Sequence, residues 1–398
     1  MALISNETPN YMAPSAGTQW STLGPFIFMH MVCFAAIWTG VTAAALITAA
    51  TLYVVRVFGI TGGFHRYFAH RTYKTSRVFQ FIIAFIGMSS MQSGVLWWAA
   101  KHRDHHRDSD LPHDAHSPRH HGFWGAHMGW IFDQSRSIAD YERIHDFTVY
   151  PELVWLDRNR FLPGGLVALT CLATMGLPGL VVGFVWSTVA VYHATFMINS
   201  LAHVFGKQRY LTGDDSRNNW LLAIIAMGEG WHNNHHHYPG AARNGFFWWE
   251  VDFTYYILRG LGKLGIVWDL RIPPESVLAG EKMPSSVIID KVAHHIASGV
   301  NVEALVARVQ ARWAEQGHRI EELRAEWRDK AQQMKADAGA YLAEIELPEL
   351  PSFEELRDKA RKKFANTPSL DVAVKRARVI VRRSVSHRLL AEPVRVAA

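Results

Sequence analysis

The stretch "VFQFIIAFIGMSSMQSGVLWW" (Val78–Trp98) decides how this chain is threaded. It is long enough to cross a bilayer. Yet Ser89, Ser90, Gln92 and Ser93 cluster at its middle, where lipid offers polar groups no partner. Histidines stand on both sides of it, in "HRYFAH" (His65–His70) before and "HRDHH" (His102–His106) after. A crossing here would put the two groups in opposite compartments. If they serve one site, the stretch is buried in the protein or lies at the interface, and the spans must be sought elsewhere.

Working outward, Pro25–Ile60 is almost uncharged apart from His30 and Arg56, and its length suits two spans with a turn near Gly40. Leu162–Phe205 is a second apolar block, interrupted by "GLPGL" (Gly176–Leu180), where Pro and Gly suit a tight turn. Buried helices of a soluble protein are the alternative for either block, but both have double-span length and little charge. The expectation is an all-α membrane protein with four transmembrane helices and both termini on one side. Lys and Arg crowd residues 66–120, 207–217 and the tail, which makes that side cytoplasmic. The divisions expected are 1–21, an N-terminal segment; 22–275, a four-span core with a cytoplasmic helical cap; and 276–398, a charged, largely helical C-terminal extension.

The 398 residues carry a formal charge of +6, which suits an anionic membrane surface or substrate. The apolar half argues against nucleic acid as a partner. Cys33 and Cys171 both sit in apolar stretches, so no disulfide framework is expected. The N-terminus lacks the basic region of a signal peptide, and no cleavage is expected. Histidine is the outlier: there are 22, mostly between His65 and His237.

Four clusters stand out. His65 and His70 come from "HRYFAH", His102, His105 and His106 from "HRDHH", Asn199 and His203 from "NSLAH", and His232, His235 and His236 from "GEGWHNNHHHYP". Positions i, i+3 and i+4 share a helical face, so the second and fourth clusters can each converge three imidazoles. His65 and His70 are five apart, roughly 140° on an ideal helix, and are expected to straddle a helix end. Imidazole without thiolate suits Fe, Zn, Cu or Ni. Nine such nitrogens exceed the needs of one ion, so two metals are implied. His237 falls off the shared face and is expected to be a bystander.

At these residues the chain resembles the membrane acyl-CoA desaturases of the stearoyl-CoA (delta-9) type, bacterial members in particular, over roughly residues 20–275. The match lies in "GITGGFHRYFAHRTYK", "HRDHH", "NSLAH" and "GEGWHNNHHHYP". The resemblance implies a di-iron centre held by His65, His70, His102, His105, His106, His203, His232, His235 and His236, with Asn199 reaching a metal through water. It implies O2-dependent insertion of a cis double bond at the delta-9 position of a long-chain acyl-CoA or membrane lipid. The two electrons would come from NAD(P)H through a separate ferredoxin/reductase-type or haem donor. It places Gln92, Trp98 and Thr195 near the bend of a substrate tunnel, and Tyr53 and Val57 near its closed end. Asp104 and Glu229 are candidates to orient ligand imidazoles. The setting implied is the bacterial cytoplasmic membrane, with the active site on the cytoplasmic face. A phospholipid-acyl desaturase and a membrane di-iron hydroxylase of lipid or alkane are the near alternatives. A histidine-rich metal transporter would need ligands inside its spans, whereas these lie outside them.

His113, His116, His120, His121 and His127 match no ligand position of that family and are read as surface or supporting residues. In the extension, Val302–Leu342 reads as one amphipathic helix, and Ser352 with Glu355 resembles a capping box. The closing "VKRARVIVRRSVSHRLL" reads as basic and amphipathic, fit to lie on the membrane or against a partner. No haem or iron–sulfur motif occurs, so electrons are expected from outside the chain.

Overall fold

The structure, a computed structural model, describes residues 17–136, 138–281, 283–315, 325, 329 and 350–390. The fold is mostly helical, and among the described residues three helical runs are long and apolar enough to cross a membrane: Trp20–Thr39, Ala43–Ala69 and Leu162–His203. The first contains α1 (Trp20–Cys33), none of whose residues is buried; Ile27, Phe28 and Met31 lie bare on it. In water that surface would be unfavourable by about 25 cal/mol per Å², so these helices are compatible with a lipid surround. Gly40, at φ +80°, turns the chain into α2 (Ala43–Phe58), whose first turn is capped by the Thr42 hydroxyl accepting from Ala45 N. Only glycine takes such a φ without steric cost.

The second run changes character before it ends. From Gly59 to Ala69 it is a π-helix, here π1, and every residue in it is buried. It lies against α3 (Arg77–Met88) at contact distance: a Cβ on Gly59 would meet the Gly87 backbone nitrogen at 2.6 Å. Two glycines facing one another therefore set the spacing of these elements. The Val78–Trp98 stretch is not one helix. It stops at Met88, passes through Met91 and Ser93 at positive φ, and restarts as α4 (Val95–Asp108). Asp157 Oδ1 caps the restart, accepting from Leu96 N at 2.8 Å and Trp97 N at 3.3 Å. That cap aims the whole of α4, including its histidines.

After the kinked α5 (Pro118–His127), the 42-residue run Leu162–His203 comprises α6 (Leu162–Pro178), a π-helix from Gly179 to Trp186, and α7 (Ser187–Ser200). Within it Gly176 sits at φ 62°, ψ −153°, outside any helical geometry. Beyond α7 come the short α8 (Trp220–Ile225) and α9 (His232–His237), then α10 (Phe253–Lys263). A two-residue antiparallel ladder pairs Lys74 with Trp268 and Thr75 with Val267.

The chain packs as two compact units. One is the described part up to Arg209 with Asp215–Leu278; the other is Tyr210–Asp214 with the described part from Ala279 onward. The second unit contains α11 (Ser286–Ser298), α12 (Val302–Glu315), α13 (Phe353–Arg361) and α14 (Pro368–Leu390). The capping box at α13 is present in full: Ser352 Oγ accepts from Glu355 N, and Glu355 accepts from Ser352 N at 2.8 Å. Two expectations need correction or restriction here. The apolar side of α14 is not available to a membrane or partner. Leu370, Val374, Ala377, Val381 and Val385 are buried in this unit's own core, against Val292, Leu305 and Leu356. The proposed helix to Leu342 is seen only as far as Glu315, and its continuation lies outside the described residues.

Candidate metal centre

The nine histidines gather into two groups. His65, His70, His102, His106 and His235 form one; His105, His203, His232 and His236 form the other. Within each, one ring nitrogen per residue lies within 4.8 Å of all the rest. The groups adjoin, with the His106 and His236 rings 4.4 Å apart.

Each i, i+3, i+4 box is shared between the groups rather than kept whole. His102 and His106 serve the first group and His105 the second; His232 and His236 serve the second and His235 the first. Helix geometry explains the partition. Positions i and i+4 differ by about 40°, whereas i+3 swings about 60° the other way, so the i+3 imidazole reaches the neighbouring centre. His65 and His70 straddle a helix end as their spacing predicts, since π1 stops at Ala69 and His70 caps it. They belong to one group because π1 turns wider, with His70 N donating to His65 O at 3.1 Å in the i→i+5 pattern. That wider turn stacks residues five apart. Arg103 fixes its end by donating to Phe68 O and Ala69 O, while also pairing with Asp146. Its guanidinium is thus a structural tie.

The side chains fit metal ions. His235 Nε2 lies 2.9 Å from both His65 Nε2 and His106 Nε2. His70 and His102 meet at 3.0 Å, as do His203 and His232. Protons cannot satisfy several lone pairs aimed at one point, but a cation can. Burial, followed by the neighbouring imidazoles, pushes His70, His102, His106 and His235 well below the usual histidine range. They are therefore neutral ligands at physiological pH.

Three carboxylates back the imidazoles. Glu229 Oε2 lies 2.6 Å from His65 Nδ1, Asp114 Oδ1 is 3.1 Å from His105 Nδ1, and Asp110 Oδ2 is 3.0 Å from His203 Nδ1. Such a partner fixes the ring and leaves Nε2 for metal. Burial works to raise the Glu229 pKa, but its contacts with His65 and Arg66 outweigh it and hold the carboxyl below its ordinary value. Asp114 shows the same contest: burial is outweighed by His105 and by hydrogen bonds from His105 and His116. Sequence reasoning found Glu229 and missed Asp110 and Asp114. Their only signal is the acidic "SDLPHDAH" directly after the second box, where no periodicity points back at the site. Asp110 stands at φ 56°, uncommon for a non-glycine residue and held by Ser117 Oγ and Asp215 N. Asp104 is a correction. It pairs with Arg107 and Arg143 at 3.3 Å, because its place on α4 turns it away from the imidazoles. His116, set aside in the sequence, sits with Asp114 beside His105. His237 belongs to neither group.

A cavity of about 500 Å³ reaches this centre, where His65, His102, Glu229, Asn199 and His232 line it. Of the five tunnel candidates, Gln92, Trp98 and Thr195 line the cavity, and Gln92 Nε2 donates to Thr195 Oγ1 at 2.9 Å. Tyr53 and Val57 do not line it. The Tyr53 hydroxyl donates to Ile225 O at 2.8 Å, and Val57 packs with Val191 and Met227.

The family profile described as fatty acid desaturase matches residues 20–265. The chain belongs to the fatty acid desaturase family. An acyl-CoA 5-desaturase from Anemone leveillei is 35% identical over 250 residues, 62% of this chain and 78% of that protein. An sn-1 stearoyl-lipid 9-desaturase from Synechocystis is 35% identical over 284 residues, covering 69% and 86%. The enzyme of the same name from Anabaena variabilis is 36% identical over 250 residues, covering 62% and 92%. This desaturase is thereby an oxidoreductase of lipid metabolism, and its two histidine groups are compatible with a di-iron centre. Residues 266–398 lie outside the match to the family profile.

Proposed function

We propose that this desaturase introduces a cis double bond at the delta-9 position of a saturated long-chain acyl group carried as the coenzyme A thioester. The overall change is R–CH2–CH2–R′ + O2 + 2 e⁻ + 2 H⁺ → R–CH=CH–R′ + 2 H2O. The observation that carries the reading is the apolar cavity ending on two adjoining all-imidazole groups. When bound there, two irons supply the oxidising power that no side chain has. The chain's own residues do the rest. The nine histidines hold the metals, and Asp110, Asp114 and Glu229 hold the histidines. The Gln92–Thr195 hydrogen bond shapes the cavity so that one pair of methylenes faces the centre, a positioning effect worth many-fold in rate. Trp98, stacked on His102 at 4.9 Å, closes that wall against water. Asn199, facing the cavity beside His232, is the tenth ligand, through water.

The reading of four spans rests on the two breaks. Gly40 and Gly176 divide the apolar blocks, and the histidines then share one face of the membrane, the cytoplasmic one in a bacterial inner membrane. Electrons come from NAD(P)H through a separate ferredoxin/reductase-type or haem carrier. A second reading, desaturation of acyl groups already in membrane lipid, is favoured by the similarity to the stearoyl-lipid enzymes. Pulse-labelled expression in a host lacking unsaturated fatty acids tests both. Olefin appearing first in acyl-CoA supports the thioester, and olefin appearing first in intact lipid supports the second reading. Hydroxylated lipid without olefin would overturn desaturation at this site.

A further inference from the structure

The charge of the molecule is concentrated where the family match does not reach. Residues 350–390 hold eleven Lys and Arg against four Asp and Glu, a net +7; with +6 for the whole chain, all other residues together sum to −1. This segment forms α13 and α14. The apolar side of α14 is consumed by its own unit's core, so the helix offers its outer face to surroundings. On that face Val372, Lys375, Val379 and Arg383 follow one another at i, i+3, i+7 and i+11, which puts them on one stripe. All four are exposed, the valines at 41% and 44%. Lys375, Arg378 and Arg383 make no ion pair among the described residues, whereas Arg376 pairs with Asp290 and Arg388 with Glu303.

We propose that this outer stripe of α14 docks on an anionic bilayer surface. Aliphatic side chains alternating with long cations match the boundary between headgroups and acyl chains. The valines enter the apolar edge while the Lys and Arg stems lie along it and their charges reach lipid phosphates. A wholly polar acidic protein partner would leave the valines unmatched. The bilayer is also the surface nearest to hand, since the same chain carries membrane-compatible helices. Tethering raises the effective concentration, so a modest intrinsic affinity suffices. The inference rests on membrane association and not on the identity of the acyl carrier or the reaction.

The test uses the full-length protein in nanodiscs, with Val379→Cys or, as a second probe, Val372→Cys. The readout is the rate of reaction with a water-soluble maleimide, and the unaltered chain supplies the Cys33 and Cys171 background. In discs containing phosphatidylglycerol the rate falls about fivefold or more relative to pure phosphatidylcholine. The protection disappears at high salt or in the Lys375→Gln/Arg378→Gln/Arg383→Gln background, with the circular dichroism unchanged. Equal rates in the two lipids at both probe positions would overturn the proposal. So would polyglutamate in phosphatidylcholine discs protecting as well as the anionic lipid, which would assign the stripe to an acidic protein.

Discussion

The molecule contains two kinds of histidine assembly, and their contrast shows what makes imidazoles a ligand set. At the metal centre, each group turns one nitrogen per ring towards a common point, and three of the rings pass their other nitrogen to a carboxylate. Elsewhere His30, His193 and His127 are joined end to end. His30 Nδ1 meets Phe26 O at 2.7 Å, and His193 links His30 at 3.0 Å to His127 at 3.0 Å, using both ring nitrogens. The chain finishes on Ser200 Oγ at 2.9 Å. Each ring nitrogen in it meets one hydrogen-bonding partner, and among the described residues no carboxylate stands behind. Convergence with an acid at the back binds a cation, while linkage in series ties helices together. Here α1, α5 and α7 are what is tied.

Breaking the convergent assembly has the largest effect. His235→Ala removes the ring shared by the His65 and His106 contacts, so iron content falls by about half or more and olefin formation drops below detection. Retained wild-type rates in that variant would contradict the assignment. Asp110→Asn and Asp114→Asn leave the ligands but remove what orients them. Metal affinity should fall about 10–100-fold in a competitive chelator titration. Asp104→Asn, changed at a carboxylate that serves arginines, should alter that affinity less than about twofold.

The serial assembly responds differently. Burial first, then His193, lowers the His127 pKa from 6.5 to about 4. The folded state therefore holds this ring neutral where the unfolded chain would protonate it. Stability is complete above pH 6.5 and is lost as pH falls towards about 4, because the unfolded state then binds more protons. His127→Phe should flatten part of the slope of Tm against pH while leaving iron content unchanged. Loss of iron in that variant would erase the distinction between the two assemblies. The smallest effect is expected at His237→Ala, a half-buried ring that belongs to neither histidine group, with activity within about twofold of wild type.

Much of this was legible in the sequence, and the gaps have causes. Composition and charge located the apolar blocks, and Gly40 and Gly176 marked the breaks in them. Box spacing nominated all nine histidines. Spacing alone misled at one point and fell short at another. It treated each box as converging on one place, although the 100° between His105 and His106 sends them to different groups. It also placed His65 and His70 across a helix end, which they do straddle, but it did not show that a run containing Gly59, Gly62 and Gly63 adopts the wider turn that stacks them. Asp110 and Asp114 were hidden because a chain reversal, not a helical period, brings them back to the site. Tyr53 and Val57 were placed by resemblance, and in this chain their positions on α2 face Ile225 and Val191 instead of the cavity.

The π-helix also ties the centre to the way one segment is wound. Five steps separate His65 from His70, and only the wider turn stacks residues at that spacing. Wound as the commoner helix, the same eleven residues would keep every side chain, yet the two imidazoles would point about 140° apart. Deleting one residue between them would restore a four-step spacing, which the commoner helix stacks. Residue number and winding are matched here, and either one changed alone unmakes the pair.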